Sequence, residues 1–148
     1  MFERLVKLKE PLTIVMISLK EAPSNLTPEE WVIVEDIIPL LRPFNSLIVE
    51  LSAEQYPTIS RVVPLIRGLQ TSLCSKSPKT SVGRFIKSNL VAQVNWRFEG
   101  IETQSLFPYF SRATLLDPRF KKAAFGVEQN ASEAERSIIS EIASLTHR

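Results

Sequence analysis

The sequence predicts an all-α fold, a single irregular domain of about six helices over residues 1–148. Three observations carry that prediction. Apolar residues recur at three- and four-residue steps through most of the chain, the spacing of one helix face, and no segment shows a period-two strand pattern of comparable strength. There are only 4 glycines, too few for the many tight turns of an all-β fold or for a glycine-rich phosphate loop. Several segments also open on residues that start helices. A chain of 148 residues, 44% hydrophobic and 23% charged, has the size and composition of one globular domain, which excludes disorder along its whole length.

The first helical stripe is Leu5, Leu8, Leu12, Val15, Met16 and Leu19, with Pro11 inside it to kink the helix or delay its start. Ala22–Asn25 reads as a turn. The next start is the clearest: Thr27 caps, Pro28 takes the first helical position and Glu30 completes a capping box. Behind it run Trp31, Val34, Ile38, Leu41, Phe44, Ile48 and Leu51, interrupted by Pro39 and Pro43, which predicts one bent helix or two abutting ones. Pro57 opens a third pattern of Ile59, Val62, Ile66, Leu69 and Leu73, with Pro64 within it.

Residues from about 74 to 81 have the composition of a mobile loop. A fourth helix from near Val82 presents Val82, Phe85, Ile86, Leu90 and Val94, and an irregular loop is expected over about 100–112. Asp117-Pro118 predicts a cap and first-turn proline for a short helix through Phe125 that stops at Gly126. Ser132 and Glu135 repeat the capping-box pattern before a last stripe of Ala134, Ile138, Ile142 and Leu145. No repeat of fixed period is present.

Residue chemistry narrows the function. With one cysteine, Cys74, and one histidine, His147, there is no disulfide framework and no intrinsic zinc ligand set, and an intracellular, reducing setting is expected. No apolar run approaches 18 residues, so no membrane partner is expected. Glu29, Glu30, Glu35 and Asp36 read as a solvated helix face near an N-terminus, because neighbouring residues on a helix point apart. Cys74 and His147 lack a third orienting group for nucleophilic catalysis. Trp31 and Trp96 read as packing anchors. Neither an enzyme, nor a cofactor, nor a small-molecule substrate is expected.

Charge is the one feature with functional content. Residues 1–60 carry 5 basic and 9 acidic groups, residues 61–122 carry 11 and 3, and residues 123–148 carry 2 and 4. The candidate nucleic-acid-binding residues are therefore Lys76, Lys79, Arg84, Lys87, Arg97, Arg119, Lys121 and Lys122, the first four forming one patch if the third and fourth helices pack side by side. The other reading of the same residues is a solvated helix surface.

Three stretches together resemble the hAT-type transposases and the host proteins derived from them, the zinc finger BED domain-containing proteins. They are Leu26-Thr27-Pro28-Glu29-Glu30-Trp31 with Leu41-Arg42-Pro43-Phe44; Tyr56-Pro57-Thr58-Ile59-Ser60 with Val63-Pro64-Leu65; and Ala113-Thr114-Leu115-Leu116-Asp117-Pro118-Arg119-Phe120-Lys121. The resemblance runs from about Leu5 to Leu145. It implies the helical insertion within an RNase H-like transposase core, without the BED finger, the catalytic acids or the C-terminal dimerisation region, which would lie outside residues 1–148. It further implies a nuclear location and a non-catalytic, structural, DNA-associated role, with weak, sequence-nonspecific contacts to the phosphate backbone. In that family setting Asp117 is structural. The alternative is a helical protein-interaction module that docks on a transposase-like core or a full-length relative through Ile138, Ile142 and Leu145.

Overall fold

The structure is a computed structural model that describes residues 1–19, 23–52, 59–103 and 107–146. Seven α-helices and no strand lie among those residues, so the chain is all-α. Ala22, the stretch 53–58 with Pro57, and His147 fall outside the described residues.

Helix α1 (Phe2–Lys7) and helix α2 (Lys9–Ser18) part at Leu8. Pro11 falls in the first turn of α2, where its missing N–H has no helical partner to lose, so the break precedes the proline. Neither helix buries a side chain fully.

Helix α3 (Pro28–Leu51) opens as its sequence predicts: Glu30 N donates to Thr27 Oγ1 at 3.2 Å, and Thr27 N donates to the Glu30 carboxylate at 2.8 Å. Pro39 and Pro43 lie inside it, and α3 is one uninterrupted helix of 24 residues. Each proline removes one backbone hydrogen bond. Tertiary packing offsets that loss, since Leu40 is fully buried between the two prolines and Phe44 and Leu47 join the core. The inward face thus runs through Trp31, Leu40, Phe44 and Leu47, while the expected stripe member Ile48 is exposed.

A 3₁₀ turn (Ile59–Arg61) leads into helix α4 (Val62–Ser75), whose Pro64 again occupies the first turn. Val63, Ile66, Leu69 and Leu73 are buried and make α4 the central helix. One core cluster joins Val63, Ile66 and Ile101 with Phe107 and Phe110; the other joins Leu69, Leu73 and Val94 with Phe44 and Leu90. Leu47 and Phe98 touch both, so the two clusters form a continuous core. Helix α5 (Ser81–Arg97) packs on α3 and α4. It buries Val94, but the expected stripe member Phe85 is 70% exposed, and Trp96, 68% exposed, is not the packing anchor the sequence suggests.

The irregular segment after α5 is shorter than expected, because Pro108 begins helix α6 (Pro108–Leu116). Asp117 then ends α6 rather than starting an α-helix. The next residues form a turn and a short 3₁₀ helix (Lys121–Ala124), entered through Lys121 at φ 50. Helix α7 (Glu128–Thr146) starts four residues before Ser132, so Ser132 and Glu135 do not cap it.

Its cap comes from elsewhere in the chain. Glu102, 1% exposed, accepts hydrogen bonds from Gly126 N at 2.7 Å, Val127 N at 3.3 Å and Asn130 Nδ2 at 3.3 Å, and pairs with Arg67 of α4. One buried carboxylate therefore ties the start of α7 to the central helix. A side chain on Gly126 would meet the Arg67 guanidinium and displace it.

Candidate nucleic-acid interface

The connection between α4 and α5 narrows to residues 76–80 and is hydrogen-bonded at Lys76, Lys79 and Thr80. Asp36 of α3 accepts from Lys79 N at 3.0 Å, Thr80 N at 2.9 Å and Thr80 Oγ1 at 2.6 Å. Thr80 Oγ1 in turn caps α5, accepting from Gly83 N at 2.9 Å. A Cβ on Gly83 would collide with Asp36, Pro78 and Thr80, so glycine is what lets α5 start this close to α3. Burial pushes the pKa of Asp36 up, but the hydrogen bonds from Thr80 and Lys79 outweigh it and hold it below its ordinary value.

On the outer side of this connection lies a shallow hollow of about 590 Å³ bordered by Cys74, Lys76, Ser77, Pro78, Arg84 and Lys87. The ammonium of Lys87 donates to Cys74 O at 2.8 Å and Lys76 O at 2.6 Å, completing carbonyls at the C-terminal end of α4. Arg84 Nη1 donates to Lys79 O at 2.6 Å. Among the described residues, Lys76, Lys79, Arg84 and Lys87 make no ion pair with a carboxylate. These four cations stand around one short connection, as the sequence reading requires of a patch.

The other four candidates do not join them. Arg97 lies ten residues beyond Lys87, about 15 Å along the axis, with its guanidinium 5.8 Å from the exposed Trp96 ring. Arg119 forks onto Asp117, with Nε to Oδ1 at 2.9 Å and Nη2 to Oδ2 at 2.7 Å, and Lys122 pairs with Glu135 of α7 at 2.6 Å. Lys121 is exposed and has no carboxylate partner among the described residues. Three further cations of the basic stretch are also spoken for: Arg61 by Glu50, Arg67 by Glu102, and Arg112 by Glu141 at 2.6 Å and Ser137 at 2.6 Å.

Asp117 has a structural assignment. Its carboxylate accepts from Arg119 N at 3.0 Å and from Ser60 Oγ at 2.7 Å, while Thr114 Oγ1 donates to Ser60 O at 3.0 Å. The hydrogen bonds from Arg119 and then Ser60 hold its pKa well below the usual aspartate range. Residues Ser60, Thr114, Asp117 and Arg119, drawn from two of the stretches quoted above, thus lock α6 onto the 3₁₀ turn ahead of α4. The sequence reading missed Asp36 as the clamp of the α4–α5 connection and Glu102 as the cap of α7. Glu102 leaves one sequence signal: it is among only 3 acids in the 61–122 stretch. Among the described residues, no group of three or more His, Cys, Asp or Glu side chains is placed to hold a metal ion. No described helix is long and apolar enough to cross a membrane.

The chain is similar to the human protein "Zinc finger BED domain-containing protein 4", with 24% identity over 146 residues. The match covers 96% of this chain and 12% of the relative, so the chain spans a small part of that protein's length. No family profile matches the chain, and neither does any solved structure.

Proposed function

We propose that this chain acts as a non-catalytic helical module of a hAT transposase-derived, BED zinc finger-type protein in the nucleus, bracing its surroundings and contacting the DNA phosphate backbone without reading sequence. The similarity to a BED zinc finger protein supports the setting. The observation that carries the DNA contact is the cluster of Lys76, Lys79 and Arg84 around the α4–α5 connection, exposed or half-buried and with no carboxylate within ion-pair distance among the described residues. Asp36 feels the charge of Lys79 but spends its hydrogen bonds on backbone N–H groups and Thr80. Phosphate contacts need positive side chains on one surface and no base-edge geometry.

The test is binding to duplexes of unrelated sequence at a series of salt concentrations. Three phosphate contacts predict a log–log slope of about −2.7, or roughly 40-fold weaker binding at 200 mM than at 50 mM salt. A K76E/K79E/R84E variant with an unchanged helical spectrum should lose the affinity. Lys87 is left in place because its ammonium holds the end of α4. Retained affinity in the variant sinks the assignment.

A second reading rests on α7. Leu116, Ile139, Ile142 and Leu145 are more than half exposed, and Leu116 and Ile139 border a hollow of about 650 Å³ between α6 and α7. That surface supports a protein-docking role on a transposase-like core, with affinity that salt does not weaken.

A further inference from the structure

We propose that Ser77 is a phosphorylation site for a proline-directed protein kinase, and that the phosphate is gripped by Lys76, Arg84 and Lys87 and silences the basic cluster. The silencing rests on the DNA-binding reading above; the modification and its grip do not.

Two serine or threonine side chains precede a proline in this sequence, Thr27-Pro28 and Ser77-Pro78. They differ in what their oxygens do. Thr27 Oγ1 is held in the α3 capping box by Glu30 N. Ser77 is exposed, and its hydroxyl has no hydrogen bond among the described residues. It lies in the extended connection that begins at Lys76, with φ −73 and ψ 142. Pro78 steers the residue before it towards the extended region, the shape in which a kinase cleft lays out a peptide. Pro78 also presents no N–H that the cleft must satisfy, and Lys79 follows directly.

The surroundings are built to receive the product. Ser77 borders the same hollow as Lys76, Arg84 and Lys87. The Lys87 ammonium reaches Lys76 O, one residue before Ser77, at 2.6 Å. It spends two of its three donors on Cys74 O and Lys76 O, and Arg84 spends one of its five on Lys79 O. Spare donors therefore remain on both, and on Lys76. A phosphoserine brings three acceptor oxygens and about −1.5 to −2 charge, enough to neutralise most of this cluster.

In the transfer, Ser77 Oγ attacks the γ-phosphorus of ATP supplied with the kinase. The Oγ–P bond forms, the bond to the bridging oxygen breaks, ADP leaves with that electron pair, and the hydroxyl proton passes to the kinase's base.

The experiment treats the full 148-residue chain with a proline-directed kinase and Mg-ATP, maps phosphate by mass spectrometry, and titrates the phosphate by ³¹P NMR. Expected are phosphate on Ser77, its absence in Ser77→Ala, and a second phosphate pKa below the value of about 6 usual for phosphoserine. That pKa should return towards the peptide value in K76A/R84A. No phosphate on Ser77, or a pKa equal to that of a free peptide, overturns the proposal.

DNA titration of the phosphorylated chain then reads the silencing. Cancelling two of three cations predicts a log–log slope smaller by about 1.8 and, at 0.1 M salt, binding on the order of 50-fold weaker. Ser77→Ala should bind as the unmodified chain does. Unchanged DNA affinity after phosphorylation, in a chain whose K76A/R84A variant has lost it, overturns the silencing. If the unmodified chain does not bind DNA, the DNA reading fails and takes the silencing with it, while the mass and NMR measurements still decide the site.

Discussion

The basic stretch between Arg61 and Lys122 folds into two regions that use positive charge in opposite ways. Around the α4–α5 connection, Lys87 and Arg84 bond to backbone carbonyls and keep donors to spare. Around residues 117–126, Arg119 and Lys122 face carboxylates, and so does Arg67 beside Gly126. A carbonyl accepts a hydrogen bond without cancelling the charge, whereas a carboxylate cancels it. The first region therefore presents a positive surface and the second is neutralised at every cation but Lys121, although residue type alone does not distinguish them. The acids make the difference: Asp36 bonds mainly to backbone and Thr80 groups, while Glu102, Asp117 and Glu135 meet cations.

The largest effect is expected where the second region is buried. Arg67→Met leaves Glu102, 1% exposed, without its cation. Arg67 is itself partly exposed and Glu102 keeps its bonds from Gly126, Val127 and Asn130, so the loss costs about 1–3 kcal/mol, to be read from urea unfolding. Acid gives the sign. Burial raises the pKa of Glu102, but hydrogen bonds from Arg67, Gly126 and Asn130 bring it below the ordinary 4.5. A carboxylate depressed by folding stabilises above its unfolded pKa, and that stability is lost as pH falls through the folded value. The native chain should therefore weaken below about pH 4.5, and the gap to Arg67→Met should narrow there, because the variant has already lost the Arg67 share of this contribution. A gap that is absent at neutral pH, or constant with pH, would show that the pair does not carry the start of α7.

A smaller effect is expected in the first region. Thr80→Ala removes the cap of α5 and one bond to Asp36, for about 1 kcal/mol. Asp36 still accepts from Lys79 N and Thr80 N, so the cations stay in place. The urea midpoint should fall while the salt slope of DNA binding stays the same. A reduced slope would mean that Thr80, rather than the cations alone, shapes the surface.

The same contrast marks where the sequence was legible. The start of α3 could be read from Thr27, Pro28 and Glu30 because all its partners lie within one turn. The like pattern at Ser132 and Glu135 misleads because Glu102, some thirty residues earlier, caps α7 four residues upstream of it. The all-α class and the buried face of α4 were legible from periodicity, which is local. The grouping of Lys76, Lys79, Arg84 and Lys87 was legible for the same reason, since twelve residues across one short connection have little freedom to separate. Neutralisation of Arg119 and Lys122 depends on where Asp117 and Glu135 fold, and cation counts do not contain that.

The smallest effect isolates the last unpaired cation of the second region. Lys121 has φ 50, a left-handed conformation that costs an ordinary residue about 1–2 kcal/mol. Glycine removes that strain but loses roughly 0.5–1 kcal/mol through its greater freedom when unfolded. The two nearly cancel, and Lys121→Gly should change stability by only a few tenths of a kcal/mol. Its effect on DNA is then a clean reading of charge. If phosphate contact is confined to the α4–α5 connection, the salt slope stays at about −2.7; if the second region also meets DNA, the slope weakens by about 0.9. The second result would extend the interface along the chain past Asp117. The first would confine it to the connection, because cations elsewhere in the stretch are matched with acids or too isolated to act together.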